Sequence, residues 1–163
     1  DKALKIDPNF AAAYVNRGNA RDDLKDYQGA ISDYDKALKI DSNHAKAYAG
    51  RGNARYDLKD YQGAISDYDK AIKIDPNYAV AYYNMGQARK NLKDYQGAIS
   101  DYDKALKIDS NHADAYLNRG VALYMVGDKR KARGDWETAA QLYRQQGNED
   151  RYKTAMDNLR NFK

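Results

Sequence analysis

LKDYQGAISDYDKA occupies residues 24–37 and returns, letter for letter, at 58–71 and at 92–105. The copies start 34 residues apart, and Tyr27, Tyr61 and Tyr95 within them keep that spacing. So do Gly18, Gly52, Gly86 and Gly120 in the segments outside the copies. A fixed period of this size marks stacked supersecondary units, none of which can bury its apolar face alone. Identity between copies is then a packing requirement, because each unit must fit the next.

Apolar and small residues recur at helical spacing twice in every unit. Ala13, Tyr14, Gly18, Ala20, Arg21 and Leu24 share a face of a first helix, A. Tyr27, Ala30, Ile31, Tyr34, Ala37 and Leu38 do the same on a second, B. A Lys-Asp turn joins the two. Asp26, Asp60, Asp94 and Asp128 stand where helix B needs a short side-chain oxygen for the free amides of its first turn. Pro8, Ser42, Pro76 and Ser110 mark the break before each next A helix. Asp35 with Lys39, Asp69 with Lys73 and Asp103 with Lys107 are i,i+4 pairs with the acid first, expected to support the surface of B. The pattern predicts helices near 11–24 and 27–40, repeated every 34 residues, and a last helix near 149–161. That last helix has Glu149 and Asp150 in its first turn and Tyr152, Ala155, Met156 and Leu159 on one side, the pattern of a cap over the end of the stack.

Composition narrows the chemistry. No stretch of the 163 residues is long and apolar enough to cross a membrane, and without Cys there is no disulfide, thiolate metal site or Cys nucleophile. The chain opens on DKALKIDPNF rather than on Met or a leader, as a piece of a longer protein would. Its net charge of +4 is spread thinly, and only KRKAR at 129–133 is concentrated. A solvated helix face accounts for that run better than a nucleic-acid footprint. No phosphate loop, nucleophile elbow or zinc spacing appears. Asp33 and Asp35, two apart, point to different sides of a helix and make a poor metal site. His44 and His112 alternate with Phe10 and Tyr78 in one slot of the repeat, as packing groups would. No catalytic residue, metal or cofactor is expected.

The residues resemble the tetratricopeptide repeat family. Its run of a large aromatic, a Leu-Gly pair, an aromatic, Ala, an aromatic, Ala and Pro reads here as Tyr14, Arg17-Gly18, Arg21, Ala30, Tyr34, Ala37 and Ser42. It reads again as Tyr48, Arg51-Gly52, Arg55, Ala64, Tyr68, Ala71 and Pro76, and as Tyr82, Met85-Gly86, Arg89, Ala98, Tyr102, Ala105 and Ser110. The fourth version is Tyr116, Arg119-Gly120, Leu123, Ala132, Trp136 and Ala139. The resemblance implies an all-α, right-handed α-solenoid of stacked helix-turn-helix repeats with a C-terminal capping helix. The repeats would run 11–44, 45–78, 79–112 and 113–146, with 1–10 ending a preceding B helix and 147–163 as the cap. It further implies A helices lining a concave groove that holds an extended peptide, with B helices as the outer wall. The sequence departs from the pattern where Arg17, Arg21, Arg51 and Arg55 replace apolar residues. Their stems can lie on apolar surface while Asp33, Asp35 and their repeats take the guanidinium groups. Members that grip chaperone tails use Lys at position 5 of helix A, with Lys and Arg at positions 2 and 6 of a later repeat. Here position 5 holds Val15, Ala49, Tyr83 and Leu117.

Aligning the A helices as AAAYVNRGNARDD, AKAYAGRGNARYD, AVAYYNMGQARKN and ADAYLNRGVALYM shows positions 1, 3, 4, 8 and 10 unchanged. Positions 2, 5, 9, 12 and 13 vary most and span about 100° of the helix, opposite the constant face. Drift on a solvent face is one explanation. The apolar content of the stripe favours the other, a binding surface. The candidate groove residues are Asn16, Asn19, Asn53, Tyr56, Tyr83, Asn84, Gln87, Lys90, Leu117, Asn118, Val121 and Tyr124. The amides would form a ladder for a partner's backbone, with solvated polar residues as the plain alternative. The expected function is a non-catalytic scaffold binding a peptide or protein segment. A self-assembling array joined end to end is the alternative, and nucleic-acid binding ranks below both.

Overall fold

The computed structural model describes residues 10–161. Among them are nine α-helices and no strand. The A helices are α1 (Ala11–Asp23), α3 (Ala45–Asp57), α5 (Ala79–Asn91) and α7 (Ala113–Met125). The B helices are α2 (Tyr27–Ile40), α4 (Tyr61–Ile74), α6 (Tyr95–Ile108) and α8 (Lys129–Gln145), followed by the capping helix α9 (Glu149–Arg160). The end of a preceding B helix expected at 1–10 lies outside the described residues, except for Phe10, which precedes α1.

The linkers explain why the helices stop where they do. Asp26, Asp60 and Asp94 accept from the amides of Gly29, Gly63 and Gly97 at 2.9–3.0 Å, and Asp128 from Lys131 at 3.2 Å. The glycines have a local reason: a Cβ on Gly29 would lie 2.0 Å from the capping carboxylate. Each A-to-B turn passes through a left-handed residue, Lys25, Lys59 or Lys93 at φ 62 to 64°, and Gly127 in the fourth repeat. After the first three B helices the chain turns on an aspartate instead: Asp41, Asp75 and Asp109 accept from the amides of Asn43, Asn77 and Asn111 at 3.0 Å, whereas α8 is followed by Gln146 and the left-handed Gly147. The slot shared by Phe10, His44, Tyr78 and His112 is the residue before each A helix, and His44 Nδ1 there accepts the Ala47 amide at 3.3 Å.

The core is built around one aromatic per B helix. Tyr34, Tyr68 and Tyr102 are at most 1 % exposed and lie against Gly18, Gly52 and Gly86, where a Cβ would come within 2.8 Å of the ring. Trp136 takes this place against Gly120. The cap α9 covers the end of the stack with Tyr152, Ala155, Met156 and Leu159 packed on the cluster that holds Ala140 and Tyr143. Each A helix approaches the A helix of the next repeat, whereas no pair of B helices makes a comparable approach. The stack therefore curves, with the A helices on its inner side.

A ladder of buried ion pairs fastens the repeats. Asp33, Asp67 and Asp101 are at most 1 % exposed and Asp135 is 7 % exposed. Arg17 grips Asp33 with two nitrogens at 2.6 and 2.8 Å, Arg51 grips Asp67 at 2.6 and 2.9 Å, and Arg119 grips Asp135 at 2.7 Å twice. Arg51 also reaches back to Asp35 on α2, and Arg119 to Asp103 on α6 at 2.6 Å, so each joins two repeats. This corrects the expected helix-surface pairs. Only Asp69 pairs with its lysine, Lys73, at 2.6 Å; Asp35 and Asp103 are taken by the arginine of the next repeat, which is Met85 where Asp69 would need it.

Candidate functional site

The inner wall is made by α1, α3, α5 and α7, and their side chains divide into two kinds. Position 5 is closed off from the groove in three repeats, contrary to expectation, and half-buried at Tyr83. Val15, Ala49 and Leu117 are 4–6 % exposed, and Leu117 packs in the cluster of Trp136 and Tyr143. The physical reason is that α3, α5 and α7 each touch their own B helix, the preceding B helix and a neighbouring A helix, so contact covers more of their circumference than one face. The open strip is displaced toward positions 2, 6, 9 and 13. Asn16, Asn19 and Tyr124 are exposed along it, whereas Tyr56, Tyr83, Asn84, Gln87, Lys90, Asn118, Val121 and Asn53 are half-buried.

The expected amide ladder exists, but its first partners are internal. Asn19 accepts from the Tyr34 hydroxyl at 2.7 Å, Asn53 from Tyr68 at 2.8 Å and Gln87 from Tyr102 at 2.9 Å. The amide at position 9 thus satisfies the buried hydroxyl of a tyrosine 15 residues later. In the fourth repeat both change together: Val121 replaces the amide, and the Trp136 indole donates to the Leu117 carbonyl at 3.2 Å instead. That coupled change was present in the sequence as a signal for this bond.

A second layer links repeats along the groove. Asn84 donates to Asn53 Oδ1 at 3.0 Å, and Asn91 donates to the Tyr56 hydroxyl at 2.8 Å. The Tyr83 hydroxyl accepts from Gln87 at 3.0 Å and from Asn118 at 3.2 Å, while its ring lies 4.6 Å from that of His112. Lys90 donates to Asn118 Oδ1 and has no acidic partner, and burial pushes its pKa down. Burial likewise pushes the Tyr83 hydroxyl up, so both side chains are held in a partly dried environment. Between α1, α3 and α5 the wall opens into a cavity of about 260 Å³ lined by Asp22, Asn53, Tyr56, Asp57, Asn84 and Gln87.

A model of the tetratricopeptide repeat matches residues 11–44 and 79–112, a second of that name matches 101–134, and a TPR repeat model matches 52–93. The chain belongs to the tetratricopeptide repeat family. No curated protein matches the sequence. Among solved structures, this tetratricopeptide chain is similar to MamA at 27% identity and a TM-score of 0.84, over 90% of this chain and 85% of that one. The first TPR of Spaghetti (RPAP3), solved bound to the HSP90 peptide SRMEEVD, is 26% identical with a TM-score of 0.70, covering 71% of this chain and 92% of its own. YrrB, described as a TPR protein with an unusual peptide-binding site, shares the fold at 23% identity and a TM-score of 0.77, over 97% of this chain and 89% of its own.

The remaining sequence features fall outside this groove. The basic run at 129–133 forms the first turn and a half of α8, where Lys131 pairs with Asp128 at 3.2 Å and Arg133 with Glu137 at 2.9 Å. Among the described residues no group of His, Asp and Glu has the arrangement to hold a metal ion, and no helix is long and apolar enough to cross a membrane.

Proposed function

We propose that the chain is a non-catalytic scaffold that holds an extended peptide, or a segment of another protein, in the groove of its A helices. The observation that carries this reading is the polar strip crossing α1, α3 and α5. Asn53 is held by the core hydroxyl of Tyr68 and Asn84 by Asn53, yet the Nδ2 of Asn53 and the Oδ1 of Asn84 have no partner among the described residues. One fixed donor and one fixed acceptor suit the two polar groups of a peptide unit, whatever side chains flank it. Groups already held in place lose little conformational freedom on binding. The HSP90 peptide bound by the first TPR of Spaghetti supports a peptide-holding role. Its acidic sequence does not carry over, because position 5 here offers Val15, Ala49, Tyr83 and Leu117 rather than lysine.

The test uses an immobilised nonapeptide library, degenerate at every position. The wild-type chain should be retained, and Tyr56→Ala with Asn84→Ala should weaken retention about tenfold, the effect of losing one or two hydrogen bonds and an aromatic contact. Helicity should be retained, although Tyr56 also packs beside Tyr61 on the cluster of Tyr68 and Met85, so retention is compared on a variant confirmed as folded by circular dichroism. Retention that survives the double substitution would move the site to the B-helix wall or the loops, and no retention of the wild type would end the proposal.

A further inference from the structure

We infer that the pocket between α1, α3 and α5 receives a lysine or arginine side chain of the bound segment, which makes the groove selective for cationic peptides. The inference rests on the groove reading above and adds the chemistry of the occupant. Asp22 and Asp57 line this pocket beside the Tyr56 ring, and no basic side chain lines it. Elsewhere in the chain buried acid is always answered: Asp33, Asp67, Asp101 and Asp135 each have a guanidinium nitrogen within 3.0 Å. Asp22, Asp23 and Asp57 have no ion pair among the described residues, although Arg21 sits next to Asp22 in sequence and turns the other way to Asp33. The Oδ1 of Asp22 is shielded from solvent and accepts no hydrogen bond. Burial first, and then the charges of Asp57 and Asp23, push its pKa up.

The Asp22 carboxylate is therefore disfavoured by its burial and by the exposed acids Asp57 and Asp23 beside it, and a bound ammonium or guanidinium offsets that cost. Tyr56 adds an aromatic wall with a favourable face for a cation. The cavity has room for one long side chain and not for a folded element. Asn53 and Asn84 line the same pocket, so one residue of the segment can be held by backbone and side chain together. The groove is also graded. Positions 12 and 13 read Asp22-Asp23, Tyr56-Asp57, Lys90-Asn91 and Tyr124-Met125, so at these positions acid is confined to the first two repeats, and Asp114 at position 2 of the fourth is met by the Tyr143 hydroxyl and Arg151. Lys90, half-buried in the third, disfavours a second cation there and sets the register.

Four nonapeptide libraries, with Arg, Lys, Glu or Gln at the centre and uncharged degenerate flanks, test this by fluorescence anisotropy. The Arg and Lys libraries should bind at least about tenfold tighter than the Gln library, and raising the salt should narrow the difference. Asp22→Asn with Asp57→Asn should abolish the preference, while Glu137→Gln with Asp157→Asn, which removes the same charge from other faces, should leave it intact. The Asp22→Asn, Asp57→Asn variant should melt no lower than the wild type, since it relieves repulsion. Glu or Gln libraries binding the wild type as tightly as Arg, or a preference that persists in that variant, would overturn the cationic pocket and leave the groove standing. Failure of all four libraries to bind would overturn both.

Discussion

At the scale of single residues, Met85 is where the ion-pair ladder breaks. Arg51 joins Asp35 to Asp67 and Arg119 joins Asp103 to Asp135, but the residue that should join Asp69 to Asp101 is a methionine. Asp69 falls back on Lys73, and Asp101 is left with Arg89 alone at 3.0 Å. Burial, only partly offset by Arg89, pushes the Asp101 carboxyl from 3.8 up to about 6. A group that binds its proton more readily folded than unfolded contributes its full stability below pH 4 and loses it as pH rises through 6. Met85→Arg should restore the second guanidinium, its stem replacing the apolar contacts of Met85. The gain should be on the order of 1 to 3 kcal/mol at pH 7.5 and small at pH 4, read by urea unfolding at the two values. Equal stability changes at both pH values would mean that Asp101 is not the site of the effect.

At the scale of elements, the helices were legible because each carries its own 3.6-residue pattern and, for B, an aspartate at its start. Three features of the linkers were not. The turn after each of the first three B helices is made by the aspartate of Asp-x-Asn, a bond that helical periodicity does not report. The arginine-aspartate network was expected in kind, but the claim of Arg51 and Arg119 on the preceding repeat cancelled two helix-surface pairs. Third, lysine takes the left-handed position of the A-to-B turn, and nothing about a lysine advertises that conformation. The fourth repeat has the residue that suits it, Gly127 at φ 88°. Lys59→Gly should therefore raise stability by a few tenths to about 1 kcal/mol, the relief of left-handed strain less the added freedom of the unfolded chain. Gly127→Ala should lower it by a similar amount. Urea midpoints that move oppositely at an unchanged m-value would confirm this, and a destabilising Lys59→Gly would show that the lysine stem contributes contacts worth more than the strain.

At the scale of the whole molecule, the site was less legible than the fold because a solenoid helix has several neighbours. A helical wheel drawn from variation alone put Leu117 beside Tyr83 on the free face, whereas stacking buries Val15, Ala49 and Leu117 and leaves Tyr83 half-buried. The ends of the stack follow the same logic, since each unit is stabilised mainly by the next. α8 has no further A helix to cover it, and α9 supplies that cover: Ala155 is fully buried, and Tyr152, Met156 and Leu159 pack around it on the cluster of Ala140 and Tyr143. Removing residues 147–163 should expose this apolar strip, lower the melting temperature by roughly 5 °C or more and promote concentration-dependent association through the bared face. Ala155→Asp in the full chain separates cover from chain length, because it undocks α9 by placing a charge where Ala155 is buried while every residue remains. The two variants should melt at similar temperatures. A truncated chain that melts with the wild type and elutes as a monomer would show that the four repeats close their own end and that α9 is an appendage.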